Sequence, residues 1–92
     1  MNKLYLFQLF YKGNFETPAM AGFIVIDKDF NIIQRDIYCE DTEIKDSDGI
    51  FSRIVNFEDE LKNNPNGFVQ EIGEKKTSFV VKITFQKNFE KS

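Results

Sequence analysis

Residues 21–38 read AGFIVIDKDFNIIQRDIY, a stretch with room for little besides two strands and a tight turn. Phe23 and Val25 fall on one side of the first strand and Ile24 and Ile26 on the other. The β-branched run favours a pleated sheet. Asp27, Lys28, Asp29, Phe30 and Asn31 then interrupt it, mostly with short polar residues that accept turn dihedrals. The return strand, residues 32–38, carries Ile33 and Ile37, with Cys39 beyond them, against Gln34, Asp36 and Tyr38.

The rest of the chain is placed around this hairpin. Residues 3–12 form the first strand, with Leu4, Leu6, Gln8 and Phe10 on one face and Tyr5, Phe7, Leu9 and Tyr11 on the other. Apolar residues on both faces indicate a central strand, or one face covered by a second layer or subunit. The loop at 13–18 is too short for a crossover helix, so the first two strands should be antiparallel neighbours. Pro18 also keeps that loop out of the sheet.

Residues 40–47 are polar and acidic and read as an exposed loop anchored by Ile44. A single helix should follow, capped by Ser47 or Asp48. Ile50, Phe51, Ile54, Val55, Phe57 and Leu61 recur along it at spacings of three and four. Pro65 and Gly67 mark its end. A rival parse makes 50–55 a strand and lets Asn56 cap a short helix, with Asp59 in the capping-box position.

Residues 68–72 and 77–85 are the last strands. The second places Phe79, Val81, Ile83 and Phe85 on one face and Val80, Lys82, Thr84 and Gln86 on the other. Such alternation marks one buried and one wet face. The order β-β-β-α-β-β predicts a two-layer α+β fold: one helix on a five-stranded, mostly antiparallel sheet. Residues 1–92 should form one domain, with a polar tail from Gln86, about 87–92. The faces of Tyr5, Phe7 and Leu9 need cover, either from a curved sheet or from a partner.

Eleven Phe and no Trp suggest a core of few, large side chains, with some left for a partner surface. Ten lysines against two arginines, with abundant Asn, Ile and Phe, fit AT-rich coding and a bacterial or phage-like source. No apolar run approaches the roughly 20 residues needed to cross a bilayer. The first residues, interrupted by Gln8, look more like a strand than a leader. The lone Cys39 permits no internal disulfide and fits a reducing, cytoplasmic setting.

Candidate chemistry is sparse. Histidine is absent, which removes the commonest general base and metal ligand. Cys39 has no histidine to activate it, and Lys45 lies across a loop. Asp46, Ser47, Asp48 and Gly49 resemble the middle of a calcium loop, but the first and last ligand positions would be Ile44 and Val55. Asp27 and Asp29 belong to a turn that favours aspartate. No phosphate loop, nucleotide fingerprint or two-metal spacing accompanies the acids. No enzyme, cofactor or metal is expected.

The phrase FIVIDKDFNII resembles the hairpin that opens PAS-type sensory domains, although that family's helical middle and ligand pocket have no counterpart here. Three antiparallel strands, a helix and a further strand also resemble the start of the ribonuclease-H-like fold. That family carries a catalytic aspartate in its first strand, where this chain reads LYLFQLF. Neither resemblance carries a function over.

The charge is polarised. Residues 36–60 hold nine acids against Lys45 and Arg53, a net of −7, while the remainder carries +4 and the whole chain −3. The leading expectation is therefore a small non-enzymatic protein-binding module that meets a basic partner through Glu40, Asp41, Glu43, Asp46, Glu58, Asp59 and Glu60. An inhibitor or nucleic-acid-mimicking decoy is its sharpest form, since spaced carboxylates can occupy sites meant for phosphates. One alternative is single-stranded nucleic-acid binding through Lys75, Lys76, Lys82, Lys87 and exposed Phe. Another is a structural homodimer formed through an exposed aromatic sheet face, around Tyr5 and Phe7.

Overall fold

Asp27 closes the hairpin. In a computed structural model of the chain, which describes residues 1–39, 47–74 and 77–89, its Oδ1 accepts the backbone N–H groups of Asp29 and Asn31, both at 2.9 Å. Phe30 takes a positive φ of 65° at the residue that ends the turn, a geometry usual for a tight turn followed by a left-handed residue. The hairpin joins β2 (Met20–Ile26) to β3 (Ile32–Cys39).

β1 (Asn2–Tyr11) lies at the centre of the sheet, between β2 and the long β5 (Thr77–Phe89), and β4 (Gly67–Glu74) pairs with β5. The order is β3-β2-β1-β5-β4 and every pairing is antiparallel. The α+β fold and the central position of β1 are those expected from the sequence. β5 continues to Phe89, opposite Asn2, where a tail was expected from Gln86. A register shift at Leu4/Tyr5 lets the strand continue by absorbing one extra residue. Residues 90–92 lie outside the description.

The helical segment is two short helices, not one. α1 (Ser47–Ser52) ends in tight turns, with Arg53 N–H donating to the Ile50 carbonyl at 3.1 Å and Ile54 N–H to that of Phe51 at 3.2 Å. α2 (Phe57–Asn63) follows Asn56, which sits in the left-handed region at φ 54°. Ile54 and Val55 are β-branched and weak helix formers, and Asn tolerates left-handed backbone well. The rival parse places the start of a short helix at Asn56 correctly, but the Asn56 side chain makes no capping hydrogen bond, because its backbone is left-handed there; the strand it placed at 50–55 is not formed. The apolar stripe survives the break because both helices cover the same sheet face. Ile50, Ile54 and Leu61 are buried, whereas Val55 is 62% exposed, because the corner turns it outward.

Tyr5, Phe7 and Leu9 are fully buried. They do not form an exposed aromatic face. The helices cover them, and Phe7 stacks on Phe51 at 4.9 Å between ring centroids. Phe51, Phe57 and Phe68 continue the aromatic contacts across the layer, which accounts for much of the phenylalanine load. Each such ring or aliphatic side chain removed from water contributes roughly 1.5–3 kcal/mol. The Tyr5 hydroxyl donates to the Pro65 carbonyl at 2.8 Å, so its polar tip is satisfied inside the core. Burial raises its pKa above the ordinary tyrosine value.

β3 differs from expectation at one position. Ile26 pairs with Ile32 and Val25 with Gln34, which leaves Ile33 in a bulge. Ile32 therefore packs against the core, while Ile33 is 45% exposed. A bulge shifts the alternation by one residue, so a strict period of two puts the wrong isoleucine inside.

Candidate functional site

The register gives the outer sheet face a definite composition. Leu4, Leu6, Gln8 and Phe10 of β1 stand beside Phe23 and Val25 of β2 and beside Val80, Lys82, Thr84 and Lys87 of β5. Gln34, Asp36 and Tyr38 continue this face on β3, and Val69 and Glu71 on β4. Helices cover the other face. Of this set, Phe23, Tyr38 and Val69 are among the chain's exposed large apolar residues.

Three of these residues form a defined cluster. Phe23 pairs directly with Asp36 across β2 and β3. Tyr38 stands two residues along on the same face, and its hydroxyl donates to Asp36 Oδ2 at 3.4 Å. Phe23 is 44% and Tyr38 64% exposed. An accessible carboxylate flanked by two accessible rings can take a cationic side chain, through an ion pair at the carboxylate and cation–π attraction at the rings. Residue-by-residue reading missed this cluster. Its signal was the hairpin register, which the turn at 27–31 fixes.

A second feature is a shallow cleft of about 280 Å³ on the same face, lined by Phe10, Phe15, Val69, Val80 and Lys82. Phe15 reaches it from the loop after β1, 5.9 Å from Phe10 between ring centroids. Lys82 and Lys87 both stand on this face; Lys75 and Lys76 lie outside the described residues.

The expected acidic set is only partly placed. Glu40, Asp41, Glu43 and Asp46 lie outside the described residues. Glu58, Asp59 and Glu60 occupy the first turn of α2, not the far end of a long helix as the single-helix reading requires. There the carboxylates complement the helix dipole. Glu58 also pairs with Lys62 at 2.8 Å, one turn along, and this hydrogen bond holds the lysine above its ordinary pKa. The triplet thus sits where its charge suits the helix.

Among the described residues no cluster of three Asp, Glu or Cys could hold a metal ion, and apart from the Tyr5 hydroxyl no polar or charged side-chain group is buried. Asp27 is held below the ordinary carboxylate range, first by the Asn31 N–H and then by that of Asp29. That is turn chemistry. Cys39 ends β3 opposite Met20. No helix among the described residues is long and apolar enough to cross a membrane.

The fold and this face define a two-layer α+β domain with an open, partly aromatic sheet surface. Comparison with protein-family models, curated proteins and solved structures finds no match.

Proposed function

We propose that the chain is a small non-enzymatic protein-binding module that docks on a basic segment of a partner protein. The observation that carries this reading is the Phe23–Asp36–Tyr38 cluster, a carboxylate between two exposed rings. It suits an arginine or lysine side chain. Asp36 also opens the segment 36–60, which carries a net of −7 in the sequence, within a chain of net −3. Attraction between opposite charges speeds encounter and fixes orientation. An inhibitor or decoy that occupies a phosphate-binding surface is the form this activity would take, and the single cysteine suits a cytoplasmic setting.

The test is a nuclear magnetic resonance titration with an arginine-rich peptide. The amides of Phe23, Asp36 and Tyr38 should shift, and Asp36→Asn should weaken binding with a flatter salt dependence. Shifts elsewhere, or equal binding by Asp36→Asn, would overturn the assignment. A second reading rests on Lys82 beside Phe10 and Phe15 at the cleft. A single-stranded oligonucleotide that shifts those residues, with affinity falling steeply in salt, would favour nucleic acid instead.

A further inference from the structure

The two edges of the sheet are not alike. β3 carries the bulge at Ile33 and charged residues at Arg35 and Asp36. These are devices that discourage strand addition. β4 pairs with β5 over Gly67–Glu74 without any register shift, and it contains no Pro and no Lys; its charges are Glu71 and Glu74, so the bulge, and not the number of charges, is what sets the edges apart.

The hydrogen-bonding parity of β4 follows from one bond at its start. Phe85 N–H donates to the Asn66 carbonyl at 2.9 Å. Antiparallel ladders alternate, so Phe68, Gln70 and Ile72 bond toward β5 and Val69, Glu71 and Gly73 direct their N–H and carbonyl groups away from it. Those three residues are all exposed. The edge is therefore a row of open donors and acceptors among the described residues.

We infer that this edge pairs with the same edge of a second copy, making a continuous ten-stranded sheet about a two-fold axis. The register that centres the axis on Gln70 sets Val69 opposite Glu71 of the other copy and Phe68 opposite Ile72. It matches the full length from Gly67 to Gly73 with no like charges opposed. Moving the centre to Glu71 opposes two carboxylates, and moving it to Val69 shortens the match. At β3 the corresponding central registers oppose Asp36 to itself or Arg35 to itself. Like charges directly opposite destabilise a strand pair. Only β4 is self-complementary in this way.

Two exposed valines flank the same edge. Val69 stands on the outer face and Val55, held by the Gln70 side chain, on the helix face, at 63% and 62% exposure. A two-fold axis through Gln70 brings both close to their copies. The strand's open backbone groups and its two exposed apolar flanks thus find cover in one step.

Sedimentation of the full chain at rising concentration tests this. The expected result is a dimer, with amide exchange at Val69, Glu71 and Gly73 slowed as it forms. Val69→Pro should abolish the dimer, because the N–H it removes points away from β5 and no internal ladder bond is lost. Should that variant fail to fold, Val69→Glu serves, setting a carboxylate directly opposite Glu71 of the other copy on both sides of the axis. A chain that stays monomeric at millimolar concentration overturns the proposal. So does a dimer that survives Val69→Glu, or one whose protected amides lie on β3 or elsewhere.

Discussion

Gln70 holds Val55 by both ends of its amide: Oε1 accepts the Val55 N–H at 2.7 Å, and Nε2 donates to the Val55 carbonyl at 3.0 Å. One side chain thus supplies what a neighbouring strand would supply, at the corner where α1 has ended and α2 has not begun. Val55 is largely exposed, so water can replace the lost partners in a variant.

The expected cost of Gln70→Leu is therefore that of two ordinary hydrogen bonds, about 1–3 kcal/mol. Gln70→Glu should also destabilise, since it keeps the acceptor but turns an oxygen toward the Val55 carbonyl. Urea unfolding measures both. A Gln70→Leu loss under about 0.3 kcal/mol would mean the corner is held by packing alone.

Gly22 is buried in β2 opposite Phe7, and a Cβ there would run into the carbonyl oxygen of Asp36 and the Cα of Ile37. Both are backbone atoms of β3, so the neighbour cannot yield by turning a side chain. Gly22→Ala should cost about 1–3 kcal/mol, the usual range for overpacking, and should speed amide exchange selectively in β3. Uniform exchange rates across the sheet would show that the strand shifts without loosening.

Much of this fold was legible because strands and turns announce themselves locally. The turn at 27–31, the alternation in β5 and the stop at Pro65 and Gly67 each depend on a few adjacent residues. What escaped depends on relations between distant ones. The break between α1 and α2 is sealed by Gln70, fifteen residues beyond Val55, and no periodicity in 47–63 carries that information. The bulge at Ile33 exchanges two isoleucines that a period of two cannot tell apart. The cluster of Phe23, Asp36 and Tyr38 exists only once the register is fixed. The face of Tyr5, Phe7 and Leu9 was left for a curved sheet or a partner to cover; the helices cover it instead, a tertiary choice that the alternation within β1 does not carry.

Asp27 gives a pH dependence with a definite sign. Its folded-state pKa is depressed by the backbone N–H groups it accepts. The stability it contributes is therefore present above the unfolded aspartate value and is lost as pH falls through the depressed one. A carboxyl titration followed by nuclear magnetic resonance should place its midpoint below that of an ordinary aspartate. Asp27→Ala should reduce the loss of stability across that acid window, because the variant has no carboxylate left to protonate. An ordinary midpoint, or an unchanged acid limb in Asp27→Ala, would show that the turn does not depend on the ionised form.

Asp59 separates two explanations of the acidic triplet. As the third residue of α2 it lies where a negative charge meets the free N–H groups and the positive end of the helix dipole. In a single long helix it would lie near the other end, where the same charge opposes the dipole and only binding or solvation would explain it. Asp59→Asn keeps shape and removes charge. It should lower stability by about 0.3–1 kcal/mol at low ionic strength, with Asp59→Lys losing more, and salt should narrow both gaps as it screens exposed charge. Denaturant titration at two salt concentrations reads this directly. If Asp59→Asn is as stable as the parent at low salt, the dipole does not account for the triplet. The acidic face then returns as a binding surface, to be tested through the on-rate of a basic peptide, where neutralising Glu58, Asp59 and Glu60 together should slow association.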